Sequence, residues 1–118
     1  MAGMQPTPQF LQAVRPFSGR GLDDYQPFDP PVVYQVPADR EAQCVYFRGG
    51  NSCDELICVV LTREGSPMRL FPIGARGSVH VPLRITENLL TESTLELHVA
   101  APAGVDGMVV LDLGILEL

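Results

Sequence analysis

Ser78–Ile85 reads SVHVPLRI, and this stretch decides the fold. Val79, Val81, Leu83 and Ile85 fall on one side, and Ser78, His80, Pro82 and Arg84 on the other. A strict period of two is the signature of a half-buried β-strand, because successive side chains leave a pleated backbone on opposite faces. The next run, TLELHVA (94–100), repeats the pattern with Leu95, Leu97 and Val99 against Glu96 and His98. MVVLDLGILEL (108–118) continues it, with Val109, Leu111, Leu113 and Ile115 on one face and Met108, Val110, Leu116 and Leu118 on the other.

Upstream, VVYQV (32–36), QCVYFR (43–48), ELICVVLTR (55–63) and PMRLFPI (67–73) are strand-like, with the turn signal REGSP between the last two. About seven strands spaced by turns indicate an all-β fold, an antiparallel, jelly-roll-like β-sandwich over residues 32–118. ITENLLTES (85–93) reads as a crossing loop with one helical turn.

Residues 1–31 differ in character. They hold six prolines, which lack the ladder donor, and four of the eight aromatics. The expectation is an extended, Pro-rich N-terminal arm with one short helix, Thr7 as N-cap and Pro8 at the first helical position, ended by Pro16. Aromatics without local structure need something to pack on. The arm is therefore read as a strap on its own domain or a clasp on another chain.

The 118 residues are enough for one domain with its own core. The net charge is -6, and all eight cations are arginine. The charge gathers in residues 77–118, which sum to -5. Such a chain repels phosphate, so nucleic acid and anionic membrane are poor partners. Three cysteines, no basic-then-apolar leader and no run near the ~20 residues of a spanning helix point to a cytoplasmic protein, with incorporation into a larger particle left open.

CVYFRGGNSCDELICVVL (44–61) holds all three cysteines. Their spacing does not supply the paired Cys-x2-Cys of a zinc knuckle. Cys53 lies beside two acids, which disfavour a thiolate. Gly49, Gly50 and Asn51 suit a hairpin tip, so Arg48, Gly49, Gly50 and Asn51 are read as a loop-tip contact. His80, Glu96 and His98 are the best metal-ligand set in the chain, though cross-strand His and Glu pairs are ordinary surface features. No Ser-His-Asp order or nucleophile elbow is present. Trp is absent and Tyr is scarce, so a stacking platform for sugars looks thin.

The leading expectation is accordingly a non-catalytic accessory or assembly protein without cofactor. It would pack onto itself or a larger protein complex through Phe10, Leu11, Phe17, Tyr25, Phe28, Val110, Leu116 and Leu118. The alternative is a small ligand-binding module of carbohydrate type, using Arg48–Ser52 and Arg76–Ser78. A metal-dependent enzyme built on His80, Glu96 and His98 ranks third.

Overall fold

The computed structural model describes residues 5–118. Eight strands follow one another: β1 (Thr7–Ser18), β2 (Gly21–Gln35), β3 (Ala42–Asn51), β4 (Ile57–Arg63), β5 (Ser66–Ile73), β6 (Ser78–Pro82), β7 (Thr94–Ala101) and β8 (Asp106–Glu117). They form two four-stranded antiparallel sheets in the orders β1-β8-β3-β6 and β2-β7-β4-β5. The pairs β4–β5, β3–β6, β2–β7 and β1–β8 nest about one central hairpin. That nesting is a long two-stranded ribbon rolled into a sandwich, the jelly-roll arrangement. The hairpin turns on Glu64 and Gly65, both at positive φ (50° and 81°), as a two-residue primed turn requires.

The alternation read in the sequence fixes which face is inside. Val109, Leu111, Leu113 and Ile115 of β8 are at most 1% exposed, and Leu95 and Leu97 of β7 are fully buried. Phe47 of β3 and Phe71 of β5 stack across the two sheets, centroids 4.3 Å apart and planes within 7°. The core is otherwise aliphatic, with Ile57, Leu61 and Ile73 from the second sheet meeting Phe47 and Leu113 from the first.

Four expectations need correction. The stretch read as an arm is not an appendage among the described residues: Thr7–Ser18 is β1 and Gly21–Pro31 belongs to β2, so no domain boundary falls near Pro31. Residues 1–4 of that stretch lie outside the described residues. The prolines fit because β1 and β2 are edge strands. Pro8 and Pro16 have the same parity along β1, so both missing donors fall on the same side of the strand. Pro30 and Pro31 fall where the β2–β7 register shifts.

The helix expected from Thr7 is a strand instead. All of β1 pairs with β8, which sends Leu11, Ala13 and Phe17 inward and leaves Phe10 and Val14 outside; tertiary pairing overrides the local signal. The Gly-Gly run is no hairpin tip. Gly49 and Gly50 are inside β3, which pairs with β6 and β8, while β4 lies in the other sheet. A Cβ on Gly49 would meet Ile73 Cδ1 at 2.7 Å and the Phe47 ring at 2.8 Å, so close packing, not turn geometry, calls for glycine there. Finally, residues 85–93 carry no helical turn, only a bridge from Leu89 to Ala42.

Asn51 turns the chain from one sheet to the other. It is 5% exposed. Its Nδ2 donates to the carbonyls of Glu55, Ile73 and Gly74 at 2.9, 3.4 and 3.1 Å, and its Oδ1 accepts from the Cys53 amide at 3.0 Å. A buried amide so satisfied is a bracket for the crossover rather than a contact residue.

Candidate functional site

The reading of two histidines and a carboxylate as a metal site comes apart on the two sheets. His80 lies on β6 in the first sheet, and Glu96 and His98 lie on β7 in the second. Each points to the outside of its own sheet, with the core between them. Among the described residues no cluster of three or more ligating side chains is present. Glu96 and His98 do approach each other, at 3.8 Å, and Tyr25 sits edge-on to His98 with centroids 5.2 Å apart.

The residues expected to clasp a partner divide in the same way. Phe17 and Phe28 are 7% and 3% exposed inside the protein's own core, and Leu11 packs against that core. Leu116 is half-buried, while Leu118 is 40% exposed at the end of β8. Phe10 and Val110 are 56% and 52% exposed on the outer face of the first sheet. That face, expected to be covered, lies open in this chain.

Register builds a site on this open face. Across β1-β8-β3-β6 the outward residues stand in rows: Val14–Val110–Gly50–Ser78, then Gln12–Asp112–Arg48–His80, then Phe10–Gly114–Tyr46–Pro82. Adjacent strands are ~4.8 Å apart, so each row spans ~14 Å. Gly50 has no side chain between Ser78 and Val110, and this leaves an open, shallow groove of about 510 Å³ bordered by Arg48, Gly50, Ser78, His80, Val110 and Asp112. It continues along β3 toward Ser52, Arg76 and Met108, where a further hollow of about 300 Å³ opens beside Gly50. At that end Arg76 pairs with Asp54, whose carboxyl it holds below the usual range.

Tyr46 organises the other end. Its ring lies across Gly114, where a Cβ would meet ring carbons at 2.0 and 2.3 Å. The Tyr46 hydroxyl donates to Asp112 Oδ1 at 3.1 Å, and Gln12 Nε2 donates to the same oxygen at 3.3 Å. Burial of the phenol, and then that bond to Asp112, push the Tyr46 pKa above its ordinary value. The Arg48 guanidinium lies 5.4 Å from the ring centroid, and His80 meets the ring edge-on at 5.9 Å. The groove is therefore an amphipathic trough: donors and acceptors on Arg48, Asp112, His80 and Ser78, an apolar wall at Val110, and a bare glycine floor.

Arg48, Gly49 and Gly50 were singled out in the sequence, but as a loop tip; the structure puts them in strand β3, with Arg48 and Gly50 facing this trough and Gly49 turned toward the core. Asn51 is 5% exposed, its side chain holding the crossover, and the residue borders the hollow beside Gly50. Tyr46, Asp112 and Gln12 were missed. Nothing in their local sequence marks them, because β1, β3 and β8 are neighbours only through long-range pairing.

No protein-family model matches the chain, and no curated protein matches it in sequence. Among solved structures the chain is similar to the CBM36-1 domain, a carbohydrate-binding module, of a multidomain xylanase from the hindgut metagenome of Trinervitermes trinervoides. The TM-score is 0.55 at 16% identity, over 93% of this chain and 96% of that one. An exo-β-1,3-galactanase from Phanerochaete chrysosporium, solved with galactose, aligns at TM-score 0.42 and 16% identity, over 99% of this chain and 30% of its own. The likeness to the first establishes the fold, a two-sheet β-sandwich.

The assembly reading is corrected at this point. The segment that was to clasp a partner completes the protein's own two sheets, and the sandwich so completed shares its fold with a carbohydrate-binding domain.

Proposed function

We propose that the chain is a glycan-binding module whose ligand lies in the trough along β3, over Gly50. The observation that carries this is the trough itself. A sugar presents hydroxyls at its edges and C–H groups on its faces. The trough offers hydrogen-bonding side chains beside an apolar wall, on a rigid sheet rather than on loops. The fold shared with a carbohydrate-binding module of a xylanase supports the same reading by analogy.

Native gel electrophoresis of the full chain through a broad panel of soluble polysaccharides tests it. At least one polysaccharide is expected to retard the protein, and Gly50→Leu, which fills the floor, is expected to restore free mobility. No retardation across the panel, or retardation that Gly50→Leu leaves untouched, would remove this function from this face.

A further inference from the structure

We infer that the trough selects uncharged glycans, by reading a pair of neighbouring hydroxyls with Arg48 and Asp112 together; this rests on the glycan-binding reading above. Arg48 and Asp112 are cross-strand partners and both line the trough. Opposite charges in that relation commonly close into an ion pair. Here they do not: among the described residues the ion pairs are Arg69–Glu87, Arg76–Asp54 and the His98–Glu96 approach. Arg48 rests on the Tyr46 ring instead. Tyr46 and Gln12 both donate to Oδ1 of Asp112, which orients the carboxylate and leaves Oδ2 with no hydrogen-bond donor among the described residues.

The trough therefore presents a donor-only group and an acceptor-only oxygen side by side, each with unused capacity. A hydroxyl both donates and accepts. Two adjacent hydroxyls can donate a hydrogen bond to Asp112 Oδ2 and accept hydrogen bonds from the Arg48 fork at once. A carboxylate, sulfate or phosphate can only accept, so it satisfies Arg48 and is repelled by Asp112. The net charge of -6 adds repulsion at longer range. Local charge in the trough balances, and a neutral diol is the chemistry that leaves it balanced.

The test uses matched polysaccharide pairs that share a backbone: hydroxyethyl and carboxymethyl cellulose, methyl-esterified and free polygalacturonate, dextran and dextran sulfate. The full chain is run against each pair by affinity electrophoresis at low and high salt. The neutral member of at least one pair is expected to bind more tightly than its acidic twin, with little dependence on salt. Asp112→Asn keeps an oxygen for Tyr46 and Gln12 but turns the free acceptor into a donor. It is expected to weaken neutral binding by roughly tenfold, the loss of one charge-assisted hydrogen bond. The same variant should narrow the gap to the acidic twin.

Tighter binding of the acidic member, lost at high salt, would overturn this inference and leave glycan binding standing. Neutral binding that Asp112→Asn leaves unchanged would also overturn it. If no member of any pair binds, the proposed function itself fails and this inference with it.

Discussion

Two glycines of the first sheet, on the rows either side of Arg48 and Asp112, should answer the same substitution in opposite ways. At Gly114 a methyl group would sit 2.0 Å from Tyr46 Cε2, so the ring must swing out. Leaving costs the hydroxyl bond to Asp112, the edge contact with His80 and the stacking under Arg48. The ring is only half-buried, so the low end of each contribution applies, and together they come to about 2–3 kcal/mol. At Gly50 the nearest atom to an added methyl is Val110 Cβ at 3.8 Å, ordinary contact, and its φ is not positive. Alanine there should gain about 0.5 kcal/mol, because it restricts the unfolded chain.

For a chain of this size each kcal/mol moves the melting midpoint by ~4 °C. Gly114→Ala should therefore melt ~8–12 °C below the parent and Gly50→Ala about 2 °C above it, by calorimetry at neutral pH. Equal midpoints for the two variants would show that the Tyr46 ring does not lie over Gly114, and the site built around it would fall.

Other outcomes follow from the same contacts. Asn51→Ala removes the side-chain donor to three carbonyls, of which that of Gly74 keeps the Gly77 amide, and strands the Cys53 amide at the crossover between sheets; it should lower unfolding free energy by about 3 kcal/mol in guanidinium titrations. Burial pushes the Cys44 thiol up from 9.0 to about 12, so the folded chain holds a proton that the unfolded chain releases. That contribution is intact below pH 9 and is lost as pH rises toward 12, at up to ~1.4 kcal/mol per pH unit. Cys58, also raised by burial, adds to the slope, and Tyr34 joins it above pH 10. Cys44→Ala should flatten the larger part of the decline between pH 9 and 10 in denaturant midpoints; an unchanged slope would exclude Cys44 as its source.

Much of the fold was legible because alternation is a local signal. SVHVP, TLELHVA and the C-terminal run each state which face is inside, and Val109, Leu111, Leu113 and Ile115 are inside; the alternation in SVHVPLRI overreached, because β6 ends at Pro82 and Ile85, expected inside, is 76% exposed. The register of non-sequential strands was not legible. β8 lies between β1 and β3, more than fifty residues away in sequence, and no local pattern specifies that neighbour. Tyr46, Asp112 and Gln12 meet only through it.

The N-terminal stretch misled for a related reason. Proline argues against a central strand but not against an edge strand, and which strands are edges is decided by the topology. The glycine pair misled because glycine serves both turns and tight packing. Gly49 is glycine for Ile73 and Phe47, and Gly50 leaves the floor of the trough bare.

The most direct measurement is a backbone-amide NMR titration of the full chain with a soluble oligosaccharide drawn from the best-retained polysaccharide. Shifts confined to Tyr46, Arg48, Gly50, Ser78, Val110, Asp112 and their strand neighbours are the expected result. Shifts clustered in the second sheet or in the loops, with these amides unmoved, would contradict the account.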